Sequence, residues 1–204
     1  MENMLKNISC DNASPFKWLN LPERWEKAGD GIVIYPKANS DFFNDPAGNH
    51  MKSDAPFLSM DVQGDFIARV LVKPAFHTVW DAAVLMIRQD ENHWAKLCYE
   101  WSDAGSGYIG IVNVVTKGTS DDANGQSLGA GEVWLQIYRV GNTIAMHWSM
   151  DGEVWNMARL FGLTCGNNLS VGIEGQCPAG PSVGHEYKHF SIENRTVSNL
   201  RQGI

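Results

Sequence analysis

The chain lacks most of the features that announce a particular chemistry. Its 204 residues contain no cluster of lysine and arginine, and the net charge is −7. With a pI near 5.3 it carries the wrong sign for a phosphate backbone, so no nucleic-acid partner is expected. The four cysteines, Cys10, Cys98, Cys165 and Cys177, have no CxxC spacing, and in a reducing compartment they are expected as free thiols. Cys98 has no base identifiable beside it and reads as a small buried residue. Met1 to Cys10 contain no long apolar run, so neither a signal peptide nor a membrane span is expected and a cytoplasmic location follows by default. No glycine-rich loop leads from a strand into a helix, which argues against a nucleotide site. The six histidines, His50, His77, His93, His147, His185 and His189, include no pair at diagnostic metal spacing. The segment Asp121-Asp122-Ala123-Asn124-Gly125 lacks the alternating oxygen ligands and terminal glutamate of a calcium loop. Neither a metal nor a cofactor is expected. No helical periodicity extends over ten residues.

What is present is strand after strand. Ile32–Tyr35 reads as a short strand after the Gly29-Asp30-Gly31 turn. Phe57–Val62 and Phe66–Lys73 flank a Gly64-Asp65 turn and predict a hairpin. Val79–Arg88 with Trp94–Trp101 predicts a second hairpin, and Val133–Val140 with Thr143–Trp148, across Gly141-Asn142, a third. Tyr108–Thr116, Val154–Leu160, Leu169–Gln176 and Tyr187–Glu193 complete about ten strands, which predicts an antiparallel two-sheet sandwich. Such a sandwich fits one domain of this length. Residues 1–14 are expected to be a frayed lead-in, 15–196 the domain and 197–204 a tail. Asp41–Pro56 and Thr119–Gly131 read as long polar loops. Ser149 to Trp155 reads as a tight turn in which Asp151 caps the backbone and Gly152 supplies positive φ.

The most informative stretch is Val84 to Glu100. Side chains alternate across a strand, so Trp94, Lys96, Cys98 and Glu100 share one face, and Ala95, Leu97 and Tyr99 the other. Arg88 shares its face with Met86 and Val84. An apolar, core-packing face therefore lies behind a face with an aromatic, a cation and a carboxylate. Further along, Leu135 and Ile137 oppose Trp134, Gln136 and Tyr138, while Leu169, Val171 and Ile173 oppose Ser170, Gly172, Glu174 and Gln176.

Several segments resemble the DUF1349 family. They are Ser40-Asp-Phe-Phe43, Phe57-Leu58 with Gly64-Asp65-Phe66, and Asp81-Ala-Ala-Val-Leu-Met-Ile-Arg88. To these are added Asp90-Glu91, Trp94-Ala-Lys96 through Glu100, Val114-Val-Thr116 with Ser120-Asp121, and Ser149 to Trp155. The resemblance spans residues 16–194 and implies an all-β fold, a concanavalin A-like jelly-roll sandwich of two antiparallel sheets, one concave. It implies no established activity, although some members carry a name linking them to regulation of enolase. The chain departs from the family pattern at Asp122-Ala123 and around Asn44–Asp54.

Parity and resemblance together nominate Asp81, Arg88, Trp94, Lys96, Glu100, Gln136, Tyr138, Glu174 and Gln176 as one ligand-binding surface. Aromatic platforms with planar donors and acceptors suit a carbohydrate or a related small polar ligand. The expected function is binding on the concave face without turnover. A glycoside-processing enzyme using Glu100 and Glu174 as its carboxyl pair is one alternative. A protein-interaction module that regulates a metabolic enzyme is another. Neither a nucleic-acid nor a membrane partner is expected.

Overall fold

A computed structural model describes residues 1–203. Among them there is no helix, and sixteen strands alternate with turns. In chain order these are β1 (Lys17–Leu19), β2 (Arg24–Ala28), β3 (Gly31–Tyr35), β4 (Phe42–Asn44), β5 (Met51–Ser53) and β6 (Phe57–Gln63). Then come β7 (Phe66–Lys73), β8 (Ala82–Arg88), β9 (His93–Ser102), β10 (Tyr108–Lys117) and β11 (Thr119–Ser127). The last are β12 (Val133–Val140), β13 (Thr143–Ser149), β14 (Asn156–Gly162), β15 (Asn168–Gln176) and β16 (His185–Glu193). A front sheet runs β1-β6-β15-β8-β9-β10-β11 and a back sheet β14-β13-β12-β7-β16-β3-β2, with β4-β5 as a separate hairpin. All pairings are antiparallel. This is the antiparallel two-sheet sandwich that the residue pattern predicts, in the jelly-roll form that the family resemblance implies.

The main core lies between the sheets, where strand alternation sends its apolar side chains. Leu85 and Ile87 from β8, Ala95, Leu97 and Tyr99 from β9, Val171 and Ile173 from β15 meet Leu135 and Ile137 from β12 and Val70 and Val72 from β7. Two smaller apolar clusters lie outside this core. One sits on the outer face of the front sheet, where Val84, Met86, Trp94 and Cys98 pack beneath Phe42 and Ala55. The other sits on the outer face of the back sheet, where Ile67, Tyr138 and Ala145 pack against Val197 and Leu200.

Several expectations are corrected. Gly64 does hold a positive φ of 70°, yet no hairpin forms there. β6 pairs with β1 and β15, whereas β7 pairs with β12 and β16. The turn carries the chain from one sheet to the other, which lets Leu58 and Phe66 enter the same core from opposite sides. Residues 119–127 are an edge strand paired with β10, not a loop. The 41–56 segment contains the β4–β5 hairpin. Part of the lead-in is core: Leu5 is fully buried and Ile8 nearly so. Asn3 ties that segment to the back sheet, donating from Nδ2 to the Asp30 and Lys188 carbonyls and accepting from the Phe190 N–H. Val79–Asp81 precede β8, because Asp81 folds the backbone into a turn there.

Candidate functional site

The outer face of the front sheet is partly roofed. The β4–β5 hairpin crosses it and is fastened on both sides. Toward β11, the Asn44 N–H donates to Ser120 Oγ at 2.9 Å and Asn44 Nδ2 to the Gly118 carbonyl at 2.9 Å. Toward β1, Asn20 Nδ2 donates to the carbonyls of Ser53 and Ala55, at 2.8 and 3.0 Å. Phe42 meets Trp94 edge to face, 6.0 Å between centroids. Trp94 is only 1% exposed, so it anchors the roof and offers no open platform.

Beside this roof opens a cleft of about 410 Å³. Lys96 lies at its floor, held between two partners: Nζ donates to Asp41 Oδ1 at 3.1 Å and to Gln176 Oε1 at 2.6 Å. Gln176 Nε2 in turn donates to the Trp80 carbonyl at 3.0 Å, and the Trp80 N–H to the Trp101 carbonyl at 2.7 Å. An ammonium has three donors, so one remains for an occupant. This relay fixes Trp80 at the rim. Its φ is +71°, a backbone state that an aromatic residue rarely adopts, and the residue is 40% exposed. Phe43 and Pro178 add apolar wall.

The lining is strongly acidic. Asp41, Asp45, Glu100, Asp103 and Asp122 face Lys96 and His50. Glu100 pairs across with Ala82, which pairs with Gln176; Lys96 pairs with Val114, which pairs with Asp122. Register thus brings residues from four strands onto one patch. Burial pushes the Glu100 carboxyl well above its ordinary range and the Asp122 carboxyl upward, with Lys96 opposing both. Burial alone would lower the Lys96 ammonium, but Asp41, with Cys98, Glu174 and Glu100 behind it, holds it above its ordinary value. Asp45 is held low by the backbone N–H groups of Ala47 and Asn49. Among the described residues, no three His, Cys, Asp or Glu groups converge as metal ligands would.

Glu174 is the anomaly. It is fully buried in the same sheet face, and neither carboxyl oxygen has a hydrogen-bond partner among the described residues. Burial raises its pKa to about 8, with Lys96 opposing and Asp41 adding to the rise.

The nominated surface therefore divides. Lys96, Glu100 and Gln176 line the cleft together. Trp94 and Glu174 lie beneath the roof beside them. Asp81 is spent on structure: its carboxylate accepts from the His77 and Thr78 N–H groups at 2.8 and 2.7 Å and from Thr78 Oγ1 at 3.2 Å. Arg88 shares the face but lines a different cleft. Gln136 and Tyr138 belong to the back sheet and point away from both clefts, Gln136 toward Arg69 and Tyr138 toward the Gly203 carbonyl. Parity sorts faces within a strand but cannot assign the strand to a sheet. The residues that sequence reasoning missed are Trp80, Asp41, Phe43 and Asp122. Asp41 and Phe43 do stand in the quoted Ser40–Phe43 segment, which was their one available signal.

Fold and site together define a concanavalin A-like jelly roll with a partly roofed, acidic cleft on one sheet. The chain belongs to the DUF1349 family, described as proteins of unknown function, whose model matches residues 18–195. It is 26% identical over 156 residues to Regulation of enolase protein 1 of Saccharomyces cerevisiae, covering 76% of this chain and 77% of that protein. A functionally unknown protein from the same yeast has a similar structure, with a TM-score of 0.83 at 22% identity, covering 91% of this chain and 99% of the other. The GH43 protein BlXynB from Bacillus licheniformis gives a TM-score of 0.71 at 13% identity, over 87% of this chain and 36% of that one. The VIP36 exoplasmic/lumenal domain, in a Ca2+- and Man3GlcNAc-bound form, gives 0.60 at 9%, over 97% and 91%. The last three likenesses establish the fold.

Proposed function

We propose that the cleft under Trp80 binds a carbohydrate or a related small polar ligand without turnover. Trp80 is the observation that carries this reading. It is an exposed indole, set in an uncommon backbone state and held by hydrogen bonds above a floor of amide, ammonium and carboxyl groups. A sugar ring needs such a flat apolar surface on one side and paired donors and acceptors on the other. The architecture accommodates such ligands, since the VIP36 domain of the same fold holds Man3GlcNAc.

Turnover by Glu100 and Glu174 fits the geometry poorly. A glycosidase needs two carboxyls about 5–9.5 Å apart, flanking one bond. Glu174 pairs with Val84 and Glu100 with Ala82, so they stand two strands apart and one same-face position displaced. Glu174 is also sealed from solvent.

Titration with an oligosaccharide panel, followed by tryptophan fluorescence and calorimetry, tests the proposal. Saturable binding that disappears in Trp80→Ala is expected. Silence across a broad panel would overturn it.

A second reading is a protein-binding module, favoured by the yeast relative's name and by an exposed apolar group. Leu19, Leu21 and Met51 are 37%, 65% and 59% exposed, around the Asn20 link to the hairpin. Calorimetry with purified enolase from the same organism, before and after Leu21→Asp with Met51→Asp, decides it. Absence of heat with the unaltered protein removes enolase as the partner.

A further inference from the structure

Glu100 lines the cleft under Trp80 and has no donor to hold. It is 6% exposed, and among the described residues no hydrogen bond reaches its carboxyl; burial and neighbouring charges act on it instead. Register explains the gap. Its neighbours across the sheet are Ala82 on β8 and Gly110 on β10, and neither has a polar side chain. Gln176, one strand beyond Ala82, already spends its amide on Lys96 and the Trp80 carbonyl. A largely buried carboxyl without a donor is costly and uncommon, and here the open side is the cleft.

The surrounding charges select the sign of the missing donor. Apart from Glu100, the lining carries Asp41, Asp45, Asp103 and Asp122 against Lys96 and His50. Lys96 is already paired with Asp41. Even with Glu100 protonated and His50 charged, four carboxylates face two cations. Charges just outside do not restore the balance, because Arg159 is paired with Asp121 and Lys52 with Asp54. A cleft lined by one sign of charge concentrates ligands of the other.

We propose that the ligand of this cleft is an amino sugar, with its free ammonium against Glu100 and its ring on Trp80. This rests on the sugar reading of the cleft and narrows it to a cationic class. An ammonium supplies the donors that Glu100 lacks, and its charge offsets the surplus of carboxylates. Burial raises the Glu100 carboxyl, and a cation beside it favours the ionised form. The C–H face of the ring meets the exposed indole, whose π face also attracts a nearby cation. The remaining Lys96 donor is left for a ring hydroxyl.

Calorimetry on the full chain at about pH 6, where an amine is charged, tests this with three matched disaccharides. These are the β-1,4 dimer of glucosamine, its N-acetylated form and cellobiose. The glucosamine dimer is expected to bind at least about tenfold tighter than either neutral sugar. Raising salt from about 50 to about 500 mM should weaken the glucosamine dimer and spare cellobiose. Glu100→Gln keeps the shape and removes the charge, and should cut the preference to under about threefold. Asp103→Asn with Asp122→Asn, at exposed positions outside the core, should also lower it. Neutral disaccharides that bind as tightly as the glucosamine dimer would overturn the assignment and leave the sugar reading standing. So would a preference unchanged in both variants. Silence across the whole oligosaccharide panel would remove the sugar reading and this assignment with it.

Discussion

Glu174 offers the sharpest test of how the site is built. In the folded chain it keeps its proton up to about pH 8, against an ordinary value of 4.5. Between those values the folded state binds more protons than the unfolded one, so stability falls as pH rises. The contribution is complete below about pH 4.5 and is gone above about pH 8. Between pH 5 and pH 9, two-state linkage across that interval is worth about 4 kcal/mol. Glu174→Gln keeps the shape and removes the proton. The neighbouring Asp122, whose carboxyl is also raised, remains in both proteins and cancels in the comparison, whereas Glu100 is raised in part by the Glu174 charge and loses that part of its rise in the variant, which widens the difference in the same direction. Urea denaturation at pH 5, 7 and 9 should therefore show wild type losing about 4 kcal/mol more than the variant across the range. Parallel pH profiles would refute the argument. A wild-type protein that gains stability relative to the variant as pH rises would refute it more strongly, because the sign would be wrong.

Three further outcomes follow from the same geometry. Lys96→Met leaves the largely buried Asp41 carboxylate unpaired and should cost about 3–5 kcal/mol by chemical denaturation; adding Asp41→Asn should recover part of that. Asp81→Ala removes the acceptor for two backbone N–H groups and a hydroxyl in the turn that carries Trp80, and should cost about 2–4 kcal/mol by chemical denaturation. Leu5→Ala should cost about 2–5 kcal/mol, a core-sized loss from within the expected 1–14 lead-in; a loss below about 1 kcal/mol would show that the segment is not part of the core.

The parts of this molecule that were legible in sequence are those in which a strand has one wet and one dry face. Ala95, Leu97 and Tyr99 were assigned to the core by alternation, and they are there. β11 was not legible. Its sequence, Thr119 to Ser127, contains one alanine and no larger apolar residue, because an edge strand held by backbone pairing to β10 needs no dry side. The β4 and β5 strands are three residues each, too short for any period to show. The roof hid a second fact: with an apolar cluster on its outer face as well, the front sheet is dry on two sides, and Trp94 reads the same in sequence whether it stacks on a ligand or on Phe42. Lys96, Glu100 and Gln176 line one cleft because register within one sheet preserves the parity that alternation reads. Gln136 and Tyr138 were misplaced because nothing local in a strand records which sheet it joins.

The hairpin fastened across the front sheet has a consequence for the size of any occupant. An uncovered face of this fold is a trough along which a polymer can lie. Here Asn44 on one side and Asn20 on the other pin a bar across it, and the space left is two alcoves of about 360 and 410 Å³. Each is at the lower end of what small-molecule sites usually occupy. For the sugar ligand proposed above, the bar would act as a length filter, admitting monomers, dimers and chain ends and turning away the interior of a long glycan. Shortening the β4–β5 turn at Ala47-Gly48-Asn49 would test whether the filter can be widened without disturbing the floor beneath it.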